Sequence, residues 1–246
     1  MAGIYSKSTT DIVSGQSFVY HTPLSWHASN PSNKPAVLYA HGRGGTARDW
    51  FEPSIYPFLK AFIDAGYPLV ANDLGGTTNW GNNTAITRLG QTRTFAQGSE
   101  IGAKSGKVVL FSVSMGGLAV CNWARQNKAN VACIVMTVPA TELEYYHNND
   151  LLPDVNEAAE IESAYGGLTG YNNSLATHSP INYAAEIADL PIAIHYNTDD
   201  TMASPARIEA FGAAVGAEMH PTLGGHTLNN LNMSQVISFI NTHTAS

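Results

Sequence analysis

Residues 107–117 read Lys-Val-Val-Leu-Phe-Ser-Val-Ser-Met-Gly-Gly, and they predict a strand, a tight turn and a helix in succession. The run Val108–Ser112 is apolar without alternation, which is typical of a strand buried on both faces of a parallel sheet. The amphipathic stretch Gly116–Gln126 predicts the helix. Ser114 stands at the turn between the two elements, which makes it the first candidate for a functional residue.

Apolar runs and helix-like stretches alternate along the rest of the chain. The other apolar runs predict strands at Ser17–His21, Ala36–Ala40, Leu69–Asn72, Val131–Val138 and Ile192–Tyr196. The amphipathic stretches predict helices at Trp50–Ala65, Thr84–Lys104, Pro205–Val215 and Met233–Thr242. This alternation predicts an α/β fold, in which a mostly parallel central sheet is flanked by helices on both faces.

Length and composition restrict the class of protein. The chain has 246 residues, a length that one large α/β domain commonly has, so we expect a single domain over residues 1–246. Apolar residues make up 44% and charged residues 13%, which argues against a disordered chain. The formal net charge is -7, and a nucleic-acid backbone would repel it. Binding to nucleic acid is therefore not expected.

The sequence also bears on membranes and export. No apolar run approaches the ~20 residues that a transmembrane helix needs. Residues Met1–Gly15 are polar and lack the apolar core of a secretory signal. We expect a soluble protein that is cytoplasmic or leaves the cell by a non-standard or phage-linked route, and the compartment stays open.

The polar segment Thr141–Tyr183 interrupts the alternation of strands and helices. Insertions of this kind fall between core elements and often carry binding functions. We therefore expect a small cap over the carboxyl edge of the sheet. Five aromatic residues are candidates to line a pocket beneath it or to pack locally: Trp80, Tyr145, Tyr146, Tyr165 and Tyr171.

The turn at Ser114 has the properties of a nucleophile turn. The usual pattern is G-x-S-x-G, because small residues two positions to either side avoid a collision as the chain reverses. Here these positions hold Ser112 and Gly116, so the need for small residues is met. The helix beside Ser114 offers free N–H groups, and the Met115 N–H is placed to bind a developing oxyanion. The alternative is an ordinary turn in which Ser114 only caps the helix.

A glycine-rich turn, His41-Gly-Arg-Gly-Gly45, follows the predicted strand Ala36–Ala40. Glycines allow the backbone to direct its N–H groups towards a substrate oxygen. The N–H of Arg43, or that of Gly44, is therefore expected to be the second oxyanion donor. The alternative is a plain turn without a role in chemistry.

A serine hydroxyl is a weak nucleophile at neutral pH and needs a base, which is expected after an acid near the chain end. His226 fits this role, because it lies in the glycine-flanked loop Leu223–Thr227 before the last predicted helix. His220 precedes Pro221 in a strand-like run, and His243 lies near the terminus. We expect these two histidines to be structural or solvated.

The acid is expected after the predicted strand Ile192–Tyr196, where Asp199 and Asp200 are adjacent. Neighbouring side chains on an extended loop point apart, so only one of them can bind the imidazole and fix its tautomer. We interpret the other as a surface carboxylate or as a cap of the helix that starts near Pro205.

Together these segments resemble the α/β-hydrolase superfamily from Ala36 to the C-terminus, and within it the cutinase-like and polyester-hydrolase lipases and the dienelactone-hydrolase-type esterases. Ser112–Gly117 resembles their small-x-Ser-Met-Gly-Gly turn, and His41-Gly42 resembles the His-Gly before their oxyanion loop. The run Asp200-Thr-Met-Ala resembles the Asp-Thr-Ile/Val-Ala run that holds the family's acid, which favours Asp200 over Asp199.

Several features depart from this pattern. Ser112 replaces the usual first glycine, and Tyr196 stands where many members have glycine. Cys121 and Cys133 do not match the late disulfide of secreted polyester hydrolases, and we expect both to be buried free thiols. Residues 72–83 also resemble phage-encoded hydrolases. The subfamily therefore stays open.

The resemblance implies a serine hydrolase that cleaves small or polymeric carboxylic esters through an acyl-enzyme on Ser114, with no cofactor and no metal. A peptidase, thioesterase or lactonase with Ser114, Asp200 and His226 as its triad stays open, as does a non-catalytic binding module of the same fold. A metal-dependent hydrolase using His41, His195 and His226 has little support, because no metal-ligand motif accompanies these histidines. The oligomeric state is not predicted.

Overall fold

The computed structural model describes residues 4–10, 17–23, 33–149, 151 and 155–245. In this part of the chain one sheet of eight strands has the order β1-β2-β4-β3-β5-β6-β7-β8. The pairs β1/β2 and β2/β4 are antiparallel and all other neighbours are parallel. The strands are β1 (Ile4–Thr10), β2 (Ser17–Pro23), β3 (Val37–Ala40), β4 (Leu69–Asn72), β5 (Val108–Val113), β6 (Val131–Thr137), β7 (Ile192–Asn197) and β8 (Glu218–Thr222).

Helices cover both faces of this sheet. They are α1 (Tyr56–Asp64), α2 (Asn83–Gln97), α3 (Gly116–Gln126), α4 (Leu143–Asn148), α5 (Glu157–Ala164), α6 (Leu168–His178), α7 (Ala184–Ile187), α8 (Pro205–Val215) and α9 (Met233–Thr244). Short 3-10 turns occur at Asp49–Phe51, Lys128–Asn130 and Pro180–Tyr183. The predicted α/β fold with a mostly parallel sheet is confirmed.

Two hydrophobic clusters lie on opposite faces of the sheet, because successive side chains of a strand point to opposite sides. In β5, Leu110 packs with residues of α2, α3, α7 and α8, whereas Phe111 packs with residues of α1 and α9. Both side chains are fully buried. The inner strands are therefore apolar on both faces, which is why their sequences do not alternate.

Three of the differences between the structure and the sequence-based prediction have a clear local cause. The helix predicted over Trp50–Ala65 begins only at Tyr56, because Pro53 cannot lie inside a helix, whereas Pro57 is tolerated in its first turn. The helix predicted to reach Lys104 ends at Gln97, where Gly98 adopts an extended conformation. Strand β1 was not predicted, since it is an edge strand with mostly exposed polar residues.

The segment Thr141–Tyr183 contains the helices α4, α5 and α6. Their apolar residues form a third cluster with Trp80, Met115 and Leu118, next to the turn at Ser114. The segment therefore packs on the side of the molecule where the predicted functional residues are expected.

Both cysteines are buried and unpaired, as predicted. Burial raises the pKa of each thiol, of Cys121 and of Cys133, to about 12, so neither is a reactive thiolate at neutral pH. Among the helices in the described ranges, none combines the length and apolar character that crossing a bilayer requires.

Candidate active site

The carboxyl ends of four parallel strands bring the predicted site residues to one edge of the sheet. The turn with Arg43 follows β3, Ser114 follows β5, Asp200 follows β7 and His226 follows β8. In open α/β sheets ligands commonly bind outside the carboxyl ends of the strands. The topology therefore gathers residues that are up to 183 positions apart in sequence, from Arg43 to His226.

Ser114 lies at the apex of a strained turn. Its φ of 49° is in the left-handed region, which costs a residue other than glycine on the order of 1 kcal/mol or more. The turn is held because the Ser114 carbonyl accepts hydrogen bonds from the N–H groups of Gly117 and Ala140, both at 2.9 Å. The strain is consistent with a turn that projects the hydroxyl out of the sheet edge.

Glycine is required at the second and third positions after this apex. A Cβ atom on Gly116 would lie 2.2 Å from the Ala40 carbonyl oxygen, and one on Gly117 would lie 2.8 Å from the Ala140 carbonyl oxygen. Helix α3 therefore packs against the end of β3 more closely than any side chain allows. By contrast, position 112 accepts Ser112, whose fully buried side chain lies in β5 and has no hydrogen-bond partner for Oγ among the described residues.

Ser114, His226 and Asp200 form a continuous chain of hydrogen bonds. His226 Nε2 lies 2.9 Å from Ser114 Oγ, and His226 Nδ1 lies 2.8 Å from Asp200 Oδ2. The Asp200 side chain is fully buried. Its other oxygen accepts the N–H groups of Met202 at 2.8 Å and Ala203 at 2.9 Å.

Two opposing effects act on the carboxyl group of Asp200. Burial favours its protonated form, but the hydrogen bonds from His226, Ala203 and Met202 outweigh burial and hold the pKa of Asp200 below its usual value. Asp200 is therefore an anion at neutral pH, placed where it orients the imidazole and stabilises an imidazolium.

Asp199 binds different partners from the adjacent Asp200. Its Oδ1 accepts the N–H groups of Gly224 at 2.8 Å and Gly225 at 3.0 Å, and the hydrogen bonds from Gly225 and Gly224 lower the pKa of Asp199. It is a surface carboxylate, as one of the two sequence interpretations had it. The other interpretation, a cap of the helix at Pro205, is wrong, because Asp199 binds the loop before His226.

The predicted alternative bases lie elsewhere. The ring of His220 stacks on that of His195, with centroids 4.3 Å apart, and the ring of His243 packs against Phe239. His41 contacts the Asp73 carbonyl through Nε2 at 3.1 Å. The three histidines of the metal hypothesis thus have separate partners, and the described residues contain no group of three or more His, Cys, Asp or Glu that could hold a metal ion.

The hydrogen bonds of the turn after β3 distinguish between Arg43 and Gly44, the two candidates for the second oxyanion donor. The Gly44 N–H donates to the Thr77 carbonyl at 2.8 Å and is therefore engaged. Arg43 and Met115 both line the cavity at Ser114, and in the described part of the chain their N–H groups make no backbone hydrogen bond. These are the two residues that the sequence assigned to an oxyanion hole.

The Arg43 side chain ties this turn to helix α5. Its Nε donates to Glu160 Oε2 at 2.8 Å and its Nη2 donates to Glu160 Oε1 at 2.6 Å, which is a bidentate pair. Both side chains are about one quarter exposed. The segment Thr141–Tyr183 is therefore anchored directly to the residue that carries a candidate oxyanion donor.

A cavity of about 210 Å³ opens beside Ser114. Apart from the polar residues already described and Glu157, its lining is apolar: Trp80, Val113, Met115, Ala140, Tyr146, Leu151 and Met202. Ligand pockets in proteins usually have volumes of roughly 300–1,000 Å³, so this smaller cavity has room for a small group only. Two of the five aromatic candidates, Trp80 and Tyr146, line this cavity.

The other three aromatic residues make local contacts. The Tyr165 hydroxyl donates to the Trp80 carbonyl at 2.9 Å. Tyr171 stacks on His147 with centroids 4.1 Å apart, and the Arg207 guanidinium lies 4.9 Å from the centre of the Tyr145 ring. These residues support the cavity wall rather than line it.

Several residues of the site were not found from the sequence. Glu160 and Glu157 reach it from helix α5, and Met202 reaches it from the loop after Asp200. Asn197, at the end of β7, contacts the loop that carries His226. Only Asn197 had a signal in the sequence, namely a polar residue that ends a buried strand just before the candidate acids.

No protein-family model matches this sequence, and no curated protein matches it. Solved structures do match the fold. An esterase from Pyrococcus furiosus is 15% identical with a TM-score of 0.69, covering 99% of this chain and 92% of the esterase. A ferulic acid esterase is 13% identical with a TM-score of 0.72, covering 100% of this chain and 98% of that one.

Peptidases share the same fold. An acylaminoacyl peptidase from Pyrococcus horikoshii is 12% identical with a TM-score of 0.72, covering 99% of this chain and 42% of the peptidase. Likeness at such identities establishes the fold, which is that of the α/β hydrolases, and leaves the reaction to be argued from the site.

Proposed function

We propose that this chain, which has the α/β-hydrolase fold, is a serine hydrolase that cleaves carboxylic esters through an acyl-enzyme on Ser114. The observation that carries the proposal is the hydrogen-bonded chain from Ser114 Oγ through His226 to Asp200 Oδ2, at 2.9 and 2.8 Å. This order of contacts is the one in which a base activates a serine and an acid orients the base.

In this mechanism Ser114 Oγ attacks the ester carbonyl while His226 Nε2 takes the hydroxyl proton. Asp200 holds the proton of His226 on Nδ1, so that Nε2 is free to act as the base. The resulting imidazolium then donates its proton to the leaving alcohol. Water then attacks the carbonyl of the acyl-enzyme while His226 takes one of its protons. The imidazolium returns that proton to Ser114 Oγ as the carboxylic acid leaves.

The N–H groups of Arg43 and Met115 would stabilise the tetrahedral oxyanion. Their position at the cavity and the absence of a backbone acceptor for either, in the described part of the chain, support this role. Loss of one such donor typically costs ~10²–10³ in kcat. Because Arg43 is paired with Glu160, we assign the segment Thr141–Tyr183 the role of a cap that closes the cavity and holds this donor.

The size and lining of the cavity favour a short or compact acyl group. A volume of about 210 Å³ bounded by Trp80, Tyr146 and Leu151 suits a few carbon atoms or one ring. Long acyl chains would have to extend into solvent. We therefore expect the rate to be highest with short p-nitrophenyl esters and to fall as the acyl chain grows.

The test compares the wild type with Ser114→Ala on p-nitrophenyl esters of increasing chain length and on the matching p-nitroanilides, with a fluorophosphonate label as the second readout. Ser112→Ala is the matched control, because it removes a neighbouring hydroxyl that has no partner among the described residues. Ester hydrolysis and labelling that are lost only in Ser114→Ala support the proposal.

The same experiment separates the alternatives. Comparable rates on anilides and esters would favour the peptidase, whose fold is among the matches. A wild type that neither labels nor hydrolyses any substrate would contradict the proposal and favour a non-catalytic binding module.

A further inference from the structure

The loop that carries His226 has little intrinsic rigidity. It belongs to no helix or strand, and Gly224 and Gly225 precede the histidine with φ values of 141° and 67°. Glycine has the largest conformational freedom of any residue, so such a loop takes one geometry only if other groups hold it. A shift of about 1 Å in a reacting group can cost ~10² in rate. The contacts that hold this loop therefore bear on catalysis.

Asn197 holds the loop on both sides of the histidine. Its Nδ2 donates to the Gly225 carbonyl at 2.6 Å and to the Thr227 carbonyl at 3.1 Å, which are the residues directly before and after His226. The side chain cannot rotate freely, because its Oδ1 accepts the hydroxyl of Thr222. Asn197 is buried, at 3% exposure, and its two hydrogen bonds to the loop are partly buried.

The main chain of the same residue holds the acid. The Asp200 N–H donates to the Asn197 carbonyl at 3.2 Å, in the tight turn that leaves β7. Asn197 thus binds the backbone of the acid through its own backbone and the backbone around the base through its side chain. It is a direct link between the two segments whose side chains meet at the His226–Asp200 contact.

We propose that Asn197 is a positioning residue that sets His226 relative to Asp200, and through it the approach of Nε2 to Ser114. The inference rests on the proposed serine-hydrolase function. It goes beyond that function because it assigns the catalytic geometry to a residue outside the triad, one that does not touch the substrate cavity.

The chain contains a matched residue that separates positioning from general stability. Asn122 is fully buried, and its Nδ2 also donates to two backbone carbonyls, those of Gly81 at 2.8 Å and His178 at 3.2 Å. Its Oδ1 likewise accepts a hydroxyl, from Tyr183. Removal of either amide leaves two backbone carbonyls without this donor. Those bound by Asn122 are buried and those bound by Asn197 are partly buried, so Asn122→Ala should cost at least as much stability as Asn197→Ala.

The experiment is a double-mutant cycle on p-nitrophenyl acetate, with kcat expressed per active site by fluorophosphonate titration and folding followed by Tm. We expect Asn197→Ala to lower kcat by about 10²-fold with little change in KM. In an Asp200→Ala background, where the geometry of the pair is already lost, the same change should cost only a few-fold. Asn122→Ala should lower Tm while kcat per active site stays near that of the wild type.

Two results would overturn the inference. One is an equal loss of kcat from Asn197→Ala in both backgrounds, and the other is a loss from Asn122→Ala as large as that from Asn197→Ala. If Asn197→Ala does not fold, Asn197→Asp gives the test, with Asn122→Asp as its control, since each change keeps the shape and an acceptor oxygen, removes the donor and adds one negative charge. A wild type without hydrolysis or labelling would refute the proposed function itself, and the inference with it, which is a distinct outcome.

Discussion

The packing of Gly116 against the end of β3 makes the substitution Gly116→Ala a sharp test of the site. The added Cβ would lie 2.2 Å from the Ala40 oxygen and 2.9 Å from the His41 oxygen, whereas ordinary contacts are about 3.4 Å or longer. The two backbones must separate by about 1 Å, since no flexible side chain can move aside. Overpacking of this kind costs ~1–3 kcal/mol in the free energy of unfolding.

The functional effect should exceed the effect on stability. The separation moves the turn with Arg43 away from Ser114, so the candidate oxyanion donor no longer meets the oxyanion. We expect kcat on a short p-nitrophenyl ester to fall by about 10²-fold in the folded variant. Thermal unfolding measures the stability, and steady-state kinetics with active-site titration measure kcat.

The control for Gly116→Ala is Gly90→Ala, which makes the same chemical change inside helix α2. There the new Cβ would lie 3.4 Å from the Trp123 ring nitrogen, which is ordinary contact, and alanine favours the helix by roughly 0.5–1 kcal/mol. We expect a higher Tm and unchanged kcat. A Gly116→Ala variant with the Tm and kcat of the wild type would refute the reasoning.

Three other predictions concern the acid, the anchor of the oxyanion turn and the response to pH. Asp200→Asn should lower kcat by roughly 10³–10⁴, because an amide can neither hold the required tautomer of His226 nor stabilise its charge; hydrolysis rates at equal active-site concentration measure this. Glu160→Gln should lower kcat/KM several-fold, because it weakens the pair that holds Arg43. The free energy of unfolding should change by less than about 1 kcal/mol, since this pair is partly exposed. Denaturant titration and kinetics on one sample distinguish the two effects. Burial and the nearby His220 lower the pKa of His195 from 6.5 to about 3, so the unfolded chain takes up a proton at this site before the folded protein does as the pH falls. The contribution of the neutral ring to stability is therefore full above pH 6.5, and the free energy of unfolding should be about 2 kcal/mol lower at pH 5. Denaturant titration at several pH values measures this, and His195→Gln should give a flatter profile.

The sequence predicted best those elements in which every residue has the same kind of surroundings. Val108–Ser112 and Leu69–Asn72 are apolar on both faces because the strands they form are covered on both faces, and the turn at Ser114 has a local pattern of small residues. Strand β1 escaped prediction because an exposed edge strand has the composition of a loop.

The residues of the site were predictable only where a short stretch of sequence identifies them. Ser114, Asp200 and His226 stand in characteristic local sequences, and the structure brings them together. The pairing of Arg43 with Glu160 joins residues 117 positions apart, and Asn197 binds backbone carbonyls that have no side-chain signature. These contacts depend on the tertiary arrangement, so composition and spacing do not reveal them, although the polar end of β7 marks Asn197 itself.

The Arg43–Glu160 pair has a consequence for engineering this scaffold. The segment Thr141–Tyr183 contributes Tyr146, Leu151 and Glu157 to the lining of the cavity, so its exchange is a direct way to change the substrate range. Here a donor segment that replaces residues 141–183 also removes the carboxylate that fixes Arg43, so turnover would change together with selectivity. A chimera of this chain should therefore carry an acidic residue at the position of Glu160, even when every cavity-lining residue is replaced.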